Sequence, residues 1–419
     1  MPDEVKARGN GRRSAFAFLV FLGVISLFSD LTYEGARSII GPYLLLLGAS
    51  AATIGFVSGL GEFVGYGLRL ITGIISDRTG RYWLIAIIGY AINMIAIPAL
   101  ALAPGFGWVY ACALLVAERF GKAIRHPAKN TLASFAAREV GPGKGFAIQE
   151  ALDQVGAFLG PMMLFAVLTL KGKEEKLPAY AFAFLLLGLP AAVTMALLLV
   201  ARKRYPRPQE FEKDEGPKTA GGFRPGYWSY MAGIAFLAMG FADFPLMAFH
   251  FVRTRVLADN IVPVFYAAAM AVDAASALFF GRMYDRTGMN AVIIASAVSA
   301  FFAPLAFLAR TPGLAAAGVV LWGIGLGAQE SILKAVVTTL VPKDRRGTAF
   351  GVFNAGFGAF WFVGSWAMGI LYGISIPVLV AFSLASQAAS IPFFFRTQRL
   401  LAAGPAAENT PGASPGAPG

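Results

Sequence analysis

Asp30, Glu34 and Arg37 stand at positions i, i+4 and i+7 of a stretch that is otherwise apolar. On a helix these three side chains share one face. Glu62 and Arg69 do the same in the next apolar stretch, and Arg119, Asp153 and Asp243 interrupt later ones. Charge inside an apolar span is costly unless it is paired or faces a water-filled cavity, so each of these residues is a functional candidate. Two chemistries fit. Asp30 and Glu34 can take up and release protons in a cavity, which makes them the first candidates for proton coupling. Alternatively, Arg37, Glu62, Arg69 and Arg119 hold both acids in a static charge network. Arg119, Lys122, Arg125 and Lys129 form a basic series that suits an anionic solute or simple edge charge.

The elements that must position these residues follow from length. The first uninterrupted apolar run, 15–29, is too short to cross about 30 Å of hydrocarbon at about 1.5 Å per residue. Its helix must continue through Asp30, Glu34 and Arg37 to Gly48, bent around Gly41 and Pro42. Further spans are expected at 52–75, 82–103, from Gly107 into the charged run Glu118 to Asn130, from Gly145, and at 179–201, 227–252, 261–281, 289–309, 313–341, 347–371 and 374–395. Counted from Gly107, Arg119 falls about 18 Å in, near mid-membrane. Glu330 and Lys334 lie four apart on the tenth span, a spacing that favours pairing. The expected organisation is a basic tail (1–13), a six-helix bundle (14–201), a charged Pro- and Gly-rich linker (202–226), a second bundle (227–396) and a disordered tail (397–419).

One polar loop occurs twice. Gly73, Asp77, Arg78, Thr79 and Gly80 recur as Gly281, Asp285, Arg286, Thr287 and Gly288, displaced by 208 residues. Each copy lies between two apolar spans, which points to duplication of a membrane half-domain. The fold class is therefore all-α integral membrane, with twelve transmembrane helices in two pseudo-symmetric six-helix bundles. The first copy, closed by Arg81, resembles the G-x-x-x-D-R-x-G-R/K loop motif of the major facilitator superfamily. The resemblance implies a cytoplasmic gate. In it Asp77 docks on the positive start of the eleventh span near Gly347, Asp285 docks on the start of the fifth near Gly145, and Arg78 and Arg81 add salt bridges.

Gly156, Gly160 and Pro161, in the run G-A-F-L-G-P, resemble the fifth-helix motif of antiporter members, G-x-x-x-G-P-x-x-G-G, although Met163, Leu164 and Phe165 stand where it continues. The same residues suit a small-residue packing seam with a proline bend. Arg119 resembles the fourth-helix arginine that proton-coupled members use as a relay, with Ala123 where R-x-x-x-G has glycine.

Composition agrees with a bilayer partner. Of 419 residues 57% are hydrophobic and 14% charged, against about 25% charged in soluble domains. The net charge of +12 punctuates the spans and forms no nucleic-acid patch. Arg78, Arg138, Lys144, Arg286, Lys343 and Arg345 gather in loops on one side, which places both termini in the cytoplasm of a cell inner membrane. The single cysteine, Cys112, excludes an intramolecular disulfide and a multi-cysteine metal cage. His126 and His250 are isolated and read as hydrogen-bonding groups at the pore ends, so no metal and no cofactor are expected. Trp322, Trp361 and Trp366 read as packing or interface anchors. H-E-x-x-H, G-x-S-x-G and a phosphate-binding glycine loop are missing, so the chain is not expected to be an enzyme.

The resulting expectation is a monomeric secondary active transporter that moves a small organic solute by alternating access, in proton-coupled antiport and efflux. Uptake or exchange of an anionic metabolite is the alternative, and a non-transporting sensor or scaffold is the alternative of another class.

Overall fold

The computed structural model describes residues 2–140, 142–171, 175–208, 226–341 and 346–402. Among these, the regular structure is helical throughout. The first half holds α1 (Pro2–Leu46), α2 (Ala51–Thr79), α3 (Tyr82–Ala99), α4 (Ala103–Val140), α5 (Pro142–Lys171), α6 (Lys176–Leu186) and α7 (Gly188–Arg204). The second half holds α8 (Tyr227–Gly240), α9 (Phe244–Arg253), α10 (Val262–Thr287), α11 (Met289–Ser299), α12 (Phe302–Phe307), α13 (Pro312–Leu340), α14 (Arg346–Ile374) and α15 (Ile376–Ala402).

Among the described residues, eleven stretches are long and apolar enough to cross a membrane, and one of them, Tyr82–Ala136, runs for 55 residues. That stretch would extend about 80 Å as one straight helix, more than twice the hydrocarbon thickness. It turns back at Gly107, whose φ of 84° and ψ of 177° break the helix. Asn93 Nδ2 then donates to the Glu118 carbonyl at 3.1 Å, pinning α3 against α4. The stretch makes two crossings, which brings the number to twelve. The pairs α6–α7, α8–α9 and α11–α12 are single crossings with internal breaks.

Boundaries differ from expectation at both ends. α1 already begins at Pro2, inside the expected tail, and α15 continues to Ala402, past the expected end of the bundle at 396. Of the expected linker, 202–204 belong to α7, while 209–225 lie outside the described residues.

The halves meet along α2 with α14, α5 with α10, and α1 with α9. The face where α1 begins and α15 ends is called here the terminal face. Close approaches between the halves gather toward the opposite face. A Cβ on Gly41 would strike the Pro245 carbonyl, and one on Gly55 the Ser365 carbonyl. On the surface there, Lys176 Nζ reaches Asp259 Oδ1 at 3.0 Å, and Asn260 donates to Thr169 at 3.0 Å. Within the first half, Cβ atoms on Gly156 and Gly160 would strike the carbonyls of Leu27 and Leu31 on α1. These glycines form the seam that lets α1 and α5 touch backbone to backbone, as small residues do in lipid. Outward faces carry exposed Ile95, Phe106, Leu170 and Ile374, which suits hydrocarbon surroundings.

A polar cavity between the halves as candidate functional site

The loop motif performs its turn. Gly80 closes α2 with φ 62° and donates to the Ser76 carbonyl, a left-handed cap that glycine adopts without a Cβ clash. Gly288 has φ 56° at the equivalent turn after α10. Asp285 and Arg286 are exposed on the terminal face, as are Arg78 and Arg81. The expected docking of Asp77 near Gly347 and of Asp285 near Gly145 lies outside the described residues, because it involves the Asp77 side chain, Gly145 and Gly347.

Above this face the two halves enclose a polar cavity of about 230 Å³. Its walls come from the middle of each helix toward the terminal face. α1 contributes Asp30, Glu34 and Arg37, all three of which line it. α2 adds Glu62, Tyr66 and Arg69, and α4 adds Arg119, Lys122, Arg125, His126 and Lys129. α5 supplies Glu150 and Asp153, α10 Tyr266 and Asp273, α13 Glu330 and Lys334, and α14 Trp361. A small recess of about 30 Å³ on the side of the opposite face shares Arg37 and Arg119 with the cavity and is also lined by Tyr33 and Glu118.

The charges are not paired as expected. Arg37 does not neutralise Asp30 or Glu34. Its Nη2 lies 2.5 Å from Asp243 Oδ1 and 3.2 Å from Glu62 Oε1. Arg119 also reaches Glu62, at 3.0 Å, and bonds to the Tyr33 hydroxyl. Glu62 is therefore clamped between two guanidinium groups. Glu118, missed by sequence reasoning, sits 3.6 Å from Arg119 Nε and accepts from Asn93 Nδ2 at 2.5 Å. This buried network forms the roof of the cavity.

Asp243 corrects another expectation. It is not on the cavity wall but is 1% exposed. It occupies the break between α8 and α9, where its Oδ1 accepts from Phe244 N–H at 3.0 Å as a helix cap. The break frees backbone groups that a continuous helix would have satisfied, and the aspartate fills one of them.

Asp30 and Glu34 have different surroundings. Asp30 Oδ1 lies 4.0 Å from Arg125 Nη2, at the outer limit of an ion pair. Glu34 Oε2 accepts a 2.5 Å hydrogen bond from Tyr266 Oη, which belongs to the other half. Asp153 pairs with Lys129 at 3.4 Å. Lys122 rests over the Tyr33 ring at 3.5 Å and Arg69 over Tyr66 at 4.7 Å. Glu330 and Lys334 form no ion pair among the described residues; both are exposed to the cavity. His250 is no pore-end group: it is buried among Phe251, Phe307 and Tyr372, whose hydroxyl it meets at 2.9 Å. His126, in contrast, lines the cavity. Trp322 packs in the core and donates to the Ala242 carbonyl at 2.9 Å, whereas Trp366 is exposed.

A walled polar cavity between two six-helix halves, sealed on one face, is the geometry of a solute carrier. The family model described as Major Facilitator Superfamily matches residues 14–365. The chain belongs to the major facilitator superfamily. Among superfamily relatives, an uncharacterised MFS-type transporter of Methanocaldococcus jannaschii is 26% identical over 375 residues, covering 84% of this chain and 88% of its own. An uncharacterised protein of Mycobacterium tuberculosis is 43% identical over 390 residues, covering 91% and 93%. Solved structures of low identity share the fold. A variant of the nucleoside transporter NupG matches with a TM-score of 0.72 at 14% identity, covering 91% of this chain and 99% of its own. A bacterial homologue of the iron transporter ferroportin, in an inward-facing state, matches with 0.68 at 14% identity, covering 91% and 98%. As a member of the superfamily, this chain is a multi-pass membrane protein of the secondary-transporter class.

Proposed function

We propose that this chain couples protons to the exchange of a small charged organic solute across the cytoplasmic membrane, with Asp30 and Glu34 as the proton carriers. The hydrogen bond from Tyr266 to Glu34 carries this reading, because it joins a carboxylate of one half to a hydroxyl of the other inside the cavity. A proton on Glu34 removes the charge that this bond serves. Moving the halves apart removes the partner. Protonation and conformation are thereby linked, and linkage is reciprocal, so a proton gradient can drive the cycle. Asp30 adds a second carrier one helical turn away, with Asp153, Lys122, Lys129 and Arg125 as its charged neighbours.

The positive-inside rule makes the terminal face cytoplasmic. In this reading the cavity faces inward, and Asp77 and Asp285 lock the same face when the cavity turns outward. The direction assigned, antiport with efflux, rests on the resemblance of Gly156, Gly160 and Pro161 to the fifth-helix motif. These glycines also serve close packing. Anion exchange is the second reading, favoured by Arg69 and Lys122, which have no carboxylate in ion-pair contact among the described residues.

The test is proton movement in proteoliposomes loaded with an internal pH dye. A solute gradient is expected to change internal pH with the natural chain and to fail with Glu34→Gln and with Asp30→Asn. Tyr266→Phe is expected to retain solute binding and slow the coupled step. Solute exchange without any pH change, surviving both carboxylate substitutions, would replace this reading with the anion exchanger.

A further inference from the structure

Two carboxylates on the second half, Asp273 of α10 and Glu330 of α13, take no part in the network described above. Asp273 is 4% exposed, lines the cavity, and has no hydrogen-bond or ion-pair partner among the described residues. Its charged neighbours are Glu330, Glu150 and Glu34, with Lys334 as a cation beside them. Carboxylates gathered in this way repel one another and are costly to desolvate, and Lys334 is a single cation beside several acids, so the arrangement favours a further positive charge from the solute.

The facing wall has the opposite deficiency. Lys122 on α4 and Arg69 on α2 line the same cavity and lie over the faces of Tyr33 and Tyr66, with no carboxylate in ion-pair contact among the described residues. Arg69 Nε is buried and has no hydrogen-bond partner among the described residues. Glu34 lies at the boundary, since it is a charged neighbour of both Lys122 and Asp273. Lys122 is a charged neighbour of Glu330 as well, yet no ion pair crosses the cavity from Lys122 or Arg69 to Asp273 or Glu330 among the described residues.

Building on the transporter reading, we infer that the solute is dipolar: a small molecule with an anionic group at one end, held by Lys122 and Arg69, and a cationic amine at the other, held by Asp273 and Glu330. An anion alone meets the acidic wall, a cation alone meets the basic one, and a neutral solute leaves both unpaired. The volume of about 230 Å³ is below the usual range of roughly 300–1,000 Å³ for ligand pockets. A cavity of this size suits a solute as small as an amino acid or short peptide.

The experiment is counterflow in proteoliposomes with a pool of named probes, each quantified by mass spectrometry. The dipolar set is glycine betaine, γ-aminobutyrate and glycylglycine; putrescine and choline are the cations, lactate and succinate the anions, uridine and glucose the neutral members. The natural chain is expected to exchange at least one dipolar probe faster than every other class. Asp273→Asn and Lys122→Gln should each reduce that exchange roughly tenfold or more, as expected for losing one charge-assisted contact. Asp273→Asn should shift the remaining preference toward anions, and Lys122→Gln toward cations. Thermal melting of each variant controls for folding, and Glu330→Gln replaces Asp273→Asn if the latter does not fold. Exchange confined to anions, cations or neutral probes overturns the dipolar assignment while the transporter reading stands. Exchange of a dipolar probe that neither substitution slows overturns it as well. No exchange of any class overturns the transporter reading and this inference with it.

Discussion

Arg37 Nη2 lies 2.5 Å from Asp243 Oδ1, an ion pair that joins the two halves although its partners stand 206 residues apart. Arg37 is 8% exposed and Asp243 1%. Removing Arg37 leaves Asp243 buried without a counter-charge, which costs about 3–5 kcal/mol, whereas removing Asp243 leaves Arg37 paired with Glu62. Arg37→Ala, which leaves Glu62 to Arg119 alone, is expected to destabilise by that order. Asp243→Asn should cost less, since asparagine caps a helix nearly as well and still accepts from arginine. Unfolding by SDS titration in mixed micelles checks both. A double-mutant cycle with Arg37→Ala and Asp243→Ala should show coupling well above about 0.5 kcal/mol, the usual limit for independent sites. Additive effects would mean the pair does not hold the halves.

Much of this arrangement was legible in the sequence, for identifiable reasons. Asp30, Glu34 and Arg37 line one wall because helical periodicity leaves them no choice. The twelve crossings follow from length alone. The repeated loop announces the two halves, and Gly80 takes the left-handed turn that its position demands. Partner choice was not legible. Nothing in local spacing says that Arg37 turns to Asp243 and Glu62, or that Glu34 meets Tyr266, because these contacts depend on how ten or more helices pack. Asp243 looked like a cavity acid because the break that it caps leaves no clear mark in an apolar run. Asp273, Glu150 and Glu118 are visible in the sequence as ionisable residues in or beside apolar spans, which is the signal that marks them as cavity or network groups. The local spacing of Glu330 and Lys334 suggested a pair, yet both side chains turn to the cavity separately.

The glycine seam between α1 and α5 predicts a position-dependent response to one methyl group. A Cβ on Gly156 would strike the Leu27 carbonyl, and backbone cannot move aside as a flexible side chain would. Gly156→Ala is expected to cost about 1–3 kcal/mol, the usual range for overpacking. On α2, by contrast, a Cβ on Gly67 would meet nothing within 4 Å. Gly67→Ala should therefore be neutral or stabilise by up to about 1 kcal/mol through helix propensity. The two variants, compared in the same SDS titration, should move in opposite directions. Equal losses would argue that the seam is not tight.

Cys112, on α4, is 8% exposed and packed in the core. A maleimide is expected to leave it unlabelled in the folded protein and to modify it on unfolding, as reaction requires access to the thiol. Mass spectrometry before and after SDS denaturation reads the result. Rapid labelling in the folded state would place a water path through the first half. Cys112→Ser then gives a background free of cysteine for introduced pairs.

The opposite face offers the most direct handle on alternating access. Thr169 Oγ1 and Asn260 Nδ2 are 3.0 Å apart across the two halves, next to the ion pair from Lys176 to Asp259. That ion pair is exposed on the lysine side and is worth only about 0–1 kcal/mol, too little to hold the face shut alone. Replacing Lys176 with Ala should therefore leave stability almost unchanged. A covalent link is different. Thr169→Cys with Asn260→Cys, in the Cys112→Ser background, is expected to form a disulfide on oxidation that keeps this face closed. If the halves must separate here once in every cycle, oxidation should stop solute counterflow and a reducing agent should restore it. Equilibrium binding from the terminal face should survive, because the cavity stays open on that side. Counterflow that continues with the link fully formed would mean that the solute crosses without these helices parting, and would remove alternating access between the two halves as the mechanism.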